Sequence, residues 1–422
     1  MEKLLKIWRI EEIRNSVLFV LAMLVIFRIA AHIPVPGANP EALKTFFAGN
    51  DILGLLNIFS GGGMENFSIV MMGVGPYITA SIIFQLLTML IPKLEEMNKE
   101  EAGKRKITMW TRWATVPFAM IQSYSMIILL RNTGAGVIQD LSPFDYFTIM
   151  ATVTAGTIFL MWLGELISEK KVGNGISLMI FAGIIAGLPS AVQELSLNYT
   201  PDMLTTIIGL LVIGLITVVG VVVINEGQRN IPVQYARQMR GGHSFGGNST
   251  HLPLRVNMAG VIPIIFAISV VLFPPMVAQF FVGAASPTLA SAAQWVINFF
   301  NDQLAYGIMY FLLVFGFTYF YTEIVFHPSK IAENLQKQGG FIPGIRPGRH
   351  TTEYLGNTTH KIILVGALFL STIAVLPLIL QAFSGLPSLA IGGTSLLIVV
   401  SVVIDAVKQI QSQVTMREYS MD

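Results

Sequence analysis

The sequence predicts an all-α polytopic membrane protein, with ten transmembrane helices in two five-helix halves of inverted orientation. Three observations carry this. Of 422 residues, 53% are hydrophobic and 12% are charged, about half the charge a soluble domain of ordinary composition carries. Mean hydropathy is +0.67. Apolar runs of roughly 20 residues, the length that crosses a ~30 Å hydrocarbon layer at ~1.5 Å per residue, recur along the chain. Lys and Arg gather in alternate loops. An arrangement of two or three soluble domains is excluded, and with no cysteine a disulfide scaffold or thiolate metal site is excluded as well.

The expected spans cover about Ser16–Ile33, Ser68–Leu90, Met109–Leu130, Tyr146–Ile167, Gly175–Gln193, Leu204–Asn225, Ala259–Val282, Leu304–Phe326, Lys361–Gln381 and Leu389–Lys408. The fifth is short and interrupted by Gly183, Gly187 and Pro189. Residues 1–195 hold spans one to five and residues 196–422 hold spans six to ten. The first apolar run continues into Arg28 and His32 with no small-residue cleavage site, so no cleavable signal peptide is expected.

An even number of spans puts both termini on one side. That side collects 23 of the 26 Lys and Arg residues, leaving Lys44 and Arg131 opposite and Arg28 inside the first span. Cytoplasmic loops retain basic residues, so both termini are expected in the cytoplasm.

The membrane interior is nearly free of ionisable groups. Glu165, Glu323, Asp405 and Lys408 fall in the end turns of their spans. Arg28 lies deeper and is expected to snorkel outward past His32. No mid-membrane carboxylate is present to couple a cation gradient, which weighs against the alternative reading, a secondary transporter of a small solute. Enzymatic patterns are missing: no His-Glu-x-x-His occurs, and the Gly175-Ile-Ser177 approach to a nucleophile elbow breaks at Met179. No catalytic residue, metal or cofactor is expected.

Three stretches depart from plain spans. Residues 51–60, followed by Gly61-Gly-Gly63, form a short amphipathic helix too short to cross, which lies at the outer interface or folds back into the protein. The segments beginning at Gly75-Pro76 and Ile262-Pro263, each in the second span of its half, match loosely as an inverted repeat would. The long loops 226–258 and 327–360 are basic and rich in turn residues. Arg346, between Gly344 and Pro347-Gly348, is expected on a stiff tip. Such loops either set topology alone or dock an acidic protein surface or nucleic acid.

At these residues the chain resembles the SecY family, the central subunits of bacterial protein-conducting channels. The resemblance is carried by His32-Ile-Pro-Val-Pro-Gly37, Asn57-Ile-Phe-Ser-Gly-Gly62, Pro76-Tyr-Ile-Thr-Ala-Ser-Ile-Ile83, Gly173-Asn-Gly-Ile-Ser177, Val256-Asn-Met-Ala-Gly-Val-Ile-Pro263, Phe341-Ile-Pro-Gly-Ile-Arg-Pro-Gly348 and Gly392-Gly-Thr-Ser395. The tail after Gln411 lacks the strongly basic ending common in the family. The resemblance implies two pseudo-symmetric halves around a central hourglass pore. Its waist would be a ring of Val74, Ile78, Ile176, Ile180, Ile265 and Ile398. A re-entrant plug helix at about 51–64 would include Leu53, Leu55, Leu56, Ile58, Phe59, Ser60, Gly61 and Gly62. Ser81, Gln85, Gln122 and Asn257 would lie at a lateral gate formed by spans two and seven with three and eight.

It further implies docking of the SecA motor ATPase or a translating ribosome on Arg237, Arg240, Arg255, Arg346 and Arg349. The small subunits SecE and SecG would be membrane partners. Signal sequences and unfolded polypeptides would be the substrates, with release of apolar segments into lipid, and the bacterial cytoplasmic membrane the location. The ring pairs Val74/Ile78 and Ile176/Ile180 are spaced i,i+4, so each pair shares a helical face, as many core residues do.

Overall fold

Long apolar stretches with few competing turn residues form helices wherever the chain is described, and those helices make up most of the molecule. The computed structural model describes residues 10–35, 43, 57, 60–132, 142–197, 203–235, 238–240, 243–245, 249–283, 286–384 and 392–421. The first half contains α1 (Glu11–Ala30), α2 (Gly75–Leu90), α3 (Pro92–Lys99), α4 (Glu101–Asn132), α5 (Pro143–Glu169) and α6 (Gly175–Leu197). The second contains α7 (Met203–Glu226), β1 (Gln228–Tyr235), β2 (Gln238–Arg240), β3 (His243–Phe245), β4 (Ser249–Arg255), α8 (Ile262–Gln279), α9 (Pro287–Asn301), α10 (Gln303–Val325), α11 (Pro328–Lys337), β5 (Gly340–Phe341), α12 (Arg349–Ser384) and α13 (Gly392–Met421).

All ten expected spans fall on helices. Among the described residues, eight are long and apolar enough to cross a membrane alone; α2 passes only together with α3, from which it is bent by 105°, and the apolar part of α6, Gly175–Pro189, is shorter. The bend lies at Ile91, before Pro92, where the chain cannot continue in helix.

The second span departs from expectation at its start. Residues 68–74 run as turns, closed by Met71 N–H to the Ser68 carbonyl (3.0 Å) and Gly73 N–H to that of Val70 (2.8 Å). Non-helical backbone at this depth is tolerated because it is buried in protein. Met71 and Met72 are buried, and a Cβ on Gly156 of α5 would overlap the carbonyl oxygen of Ile69, so α5 admits this segment only where it has no side chain.

The halves meet on two sides. On one, α8 packs against α2 and α4; on the other, α13 packs against α6 and α1. One continuous apolar core contains Phe27, Ile82, Leu160, Ile264, Tyr310, Leu370 and Leu397 and so spans both halves. The outward face of α7 is apolar, with Leu211, Leu215 and Ile216 about two-thirds exposed, as a lipid-facing helix requires.

The two long loops are not merely turn-rich. β1 pairs antiparallel with β4, Gln228 opposite Arg255, and on its other edge with β5, Gln234 opposite Phe341. Residues of both loops therefore share one three-stranded sheet and a small apolar core of Ile231, Val233, Leu254, Leu335, Ile342 and Leu355. The amphipathic α9 was also not anticipated. Its 15 residues are too few to cross a membrane, and Trp295 stacks on Phe299 on its exposed side.

Candidate functional site: a buried aliphatic cluster and an interhelical seam

Pro76 and Pro263 begin α2 and α8, a position where a missing N–H costs nothing. Val74 is the N-cap of α2, and Ile78 lies one turn later, its N–H 3.0 Å from the Val74 carbonyl. Ile265 sits in the first turn of α8, 3.3 Å from the Val261 carbonyl. Ile176 and Ile180 follow the cap of α6, where Asn174 Oδ1 accepts from the N–H groups of Ile176 (3.1 Å) and Ser177 (3.3 Å). A Cβ on Gly175 would overlap the Gly164 carbonyl oxygen, so α5 and α6 approach at backbone contact here. The glycine pair around Asn174 is thus a packed turn. Ile398 is on α13. Val74, Ile78, Ile180, Ile265 and Ile398 are at most 7% exposed and share one apolar core, against which Ile176 packs.

Of the expected plug, Leu53, Leu55, Leu56, Ile58 and Phe59 lie outside the described residues. Ser60, Gly61 and Gly62 are in a turn, where the Ser60 hydroxyl donates to the Asn57 carbonyl (2.9 Å) and accepts from the Met64 N–H (3.2 Å). Arg28 does not snorkel past His32. Its guanidinium donates to the Gly61 carbonyl, because a turn carbonyl beside α1 offers a nearer acceptor than the membrane surface.

The seam between the halves is polar and aromatic along α4. Gln122 Nε2 donates to Thr79 Oγ1 of α2 (3.4 Å). Ser125 Oγ donates to the Met276 carbonyl of α8 (2.7 Å). The α8 terminus tightens there, the Phe280 N–H bonding the Val277 carbonyl (3.2 Å). Phe118 meets Phe273 edge-on at 6.3 Å, and Tyr124 stacks on Phe280 at 5.3 Å. Gln85 Nε2 donates to Ser81 Oγ within α2 (3.1 Å), leaving the buried Gln85 Oε1 without a partner. Asn257 joins a different group. Its Nδ2 donates to Asn225 Oδ1 of α7 (2.6 Å), and Asn225 Nδ2 donates to Ser401 Oγ of α13 (2.7 Å). Asn257 was expected beside Gln122; it bonds Asn225 instead, while Ser125, which was not singled out from the sequence, makes the side-chain bond from α4 to α8 because of which helix faces it.

Of the expected docking residues, Arg346 is exposed, with no acidic partner among the described residues. Its backbone is held by Thr351 Oγ1, which donates to the Arg346 carbonyl (3.0 Å), and Gly344 and Gly348 take positive φ beside it. Arg349 pairs with Glu353 at 3.1 Å. Arg255 is exposed at the end of β4; Arg237 and the Arg240 side chain lie outside what is described.

Apolar spans gathered around one buried aliphatic core, in two halves that meet along a seam, define a polytopic helical membrane protein. Residues 68–407 match the SecY family profile. The chain is 46% identical to the protein translocase subunit SecY of Halalkalibacterium halodurans, over 98% of this chain and 97% of that one. It is 43% identical to the protein of the same description from Bacillus subtilis, over 97% and 96%. Among solved structures, the fold is similar to a protein-conducting channel (TM-score 0.61, 17% identity, 93% of this chain and 91% of that one). It is also similar to Sec61 in the canine ribosome–channel complex from the endoplasmic reticulum (TM-score 0.56, 16% identity, 93% and 91%). The chain belongs to the SecY family.

Proposed function

We propose that this chain is the protein-conducting subunit of a translocase, passing unfolded polypeptides through its centre and releasing apolar segments sideways into lipid. The observation that carries the reading is that five aliphatic side chains from α2, α6, α8, α13 and the residue capping α2 share one buried core, with Ile176 packed on it; we read these six as the ring at the waist of a channel. Such a ring excludes water and ions when closed, since hydrophobic constrictions gate by dewetting. It presents no hydrogen-bond partner to a passing backbone, so chains of unrelated sequence slide without sticking. The turn at Ser60–Gly62 is the end of a plug that seals the outer funnel and is tethered by Arg28.

The lateral exit is the α4–α8 seam with α2 and α10. Interhelical polar contacts in membranes are worth only ~0.6–2 kcal/mol each, within reach of an inserted apolar segment. The chain lies in the bacterial cytoplasmic membrane with both termini and the basic loops in the cytoplasm. Driving force comes from outside the chain: SecA or a translating ribosome docks on Arg346, Arg255 and their neighbours, and SecE and SecG complete the complex. The canine Sec61 relative is a ribosome–channel complex; ribosome docking is extended from it to this chain.

A solute transporter lacks support. Among the described residues, Glu165 is paired with Arg112 (2.7 Å) and Lys408 with Glu226 (2.7 Å) at span ends, and Arg28 is committed to Gly61. The test is reconstitution of the complex in vesicles with the motor, ATP and a secretory precursor. Protease-protected precursor that depends on ATP is expected; none above the ATP-free control overturns the proposal.

A further inference from the structure

A cavity of about 290 Å³ lies where α10 ends, α11 begins and α12 passes both. Its wall on α12 is one helical face, Gly356, Thr359, His360 and Ile363, at i, i+3, i+4 and i+7. Opposite stand Glu323 of α10 and Ser329 at the start of α11. The N-cap of α11, His327, supplies no side-chain cap. Pro328 has no N–H, so the N–H groups of Ser329 and Lys330 point out of the helix start with no acceptor among the described residues, the arrangement that favours an anion. Thr359, 5% exposed, has a buried hydroxyl without a partner. The Gly356 position opens into empty space, with nothing within 4 Å of where a Cβ would stand.

The charges around the cavity are mixed. Uncapped amides and the rings of His327 and His360 suit a phosphate, whereas the Glu323 carboxylate repels a bare anion and attracts a cation. A ligand carrying both charges a few bonds apart satisfies both walls. The level of the cavity fits as well. It lies where the apolar stretches of spans eight and nine end, and the His360 face of α12 continues into the membrane as Leu364 and Leu368, each nearly half exposed. A headgroup in the cavity would therefore have its acyl chains along that stripe.

We propose that this cavity binds the headgroup of a phospholipid bearing a primary amine, with the phosphate at the start of α11 and the ammonium on Glu323. The proposal is independent of polypeptide transport, and its readout does not require it. The full complex is placed in phosphatidylcholine nanodiscs holding a few per cent of either a phosphatidylethanolamine or a phosphatidylcholine with the same photoreactive acyl chain. Labelled peptides are then mapped. The ethanolamine probe is expected to label the segment His360–Leu368 about five-fold more than the choline probe, the ratio given by one partly exposed ion pair. Glu323→Gln should bring the two probes to parity. Gly356→Leu, whose Cβ would meet nothing within 4 Å and whose longer side chain occupies the cavity, should abolish labelling by both. Millimolar inorganic phosphate should not compete. Equal labelling by the two probes in the unmodified protein, insensitivity to both substitutions, or displacement by phosphate would each overturn the assignment.

Discussion

Ser125→Ala is the most direct perturbation of the seam, because it removes one hydroxyl and touches neither the waist nor the loops. The bond lost is 2.7 Å long and joins α4 to a backbone carbonyl in the last turn of α8. Interhelical bonds of this kind average about 0.6 kcal/mol and reach about 1.7. Combining it with Tyr124→Leu, which removes the 5.3 Å stack on Phe280, adds about 0.5–1.5 kcal/mol. The two sites are adjacent and not strictly additive, so the closed state loses about 1–3 kcal/mol, shifting the closed–open equilibrium roughly 5- to 150-fold. Planar-bilayer recording of the reconstituted complex without precursor should show open probability rising by that factor. Transport of a precursor with a weakened signal should improve in parallel. Open probability equal to the unmodified protein in the double variant, with thermal stability preserved, would refute the idea that this seam holds the channel shut.

Substituting Ser for Ile78 and for Ile265 should each leave a measurable ion leak, and unchanged conductance in both would remove them from the constriction. Arg346→Glu should abolish motor-driven transport and lower SecA affinity while stability stays within about 0.5 kcal/mol, as for an exposed side chain without a partner; co-sedimentation and thermal unfolding separate the two. Gly175→Ala should cost about 1–3 kcal/mol through overlap with the Gly164 carbonyl, whereas Gly356→Ala, facing open space, should be neutral or stabilising by up to about 1 kcal/mol. Comparing their unfolding temperatures checks both.

The spans were legible because crossing a bilayer imposes a length and a composition on each one separately. The side on which Lys and Arg gather could be counted in the same way. Residues 68–74 escaped because an apolar run does not reveal that its backbone turns; only the missing side chain at Gly156, far away in sequence, makes room for it. Arg28 was visible as an anomaly in an apolar run, but its acceptor depends on how the turn at Gly61 folds against α1. The strands of the long loops are short and polar on one face, so their alternation is weak, and the pairing of β1 with β5 joins segments a hundred residues apart. The six aliphatic residues proposed as the ring have the spacing of ordinary core, and only the family resemblance singled them out. Asn257 was recognisable as polar near a helix start, but its partners Asn225 and Ser401 come from two other helices.

The sheet shared by the two basic loops makes them one mechanical part. β4 ends at Arg255, and α8 begins at Ile262. β5 lies between α11 and α12, close to the Arg346 tip. A load borne by that tip would be handed across three strands to the start of α8, the helix that packs against α2 and α4 of the first half.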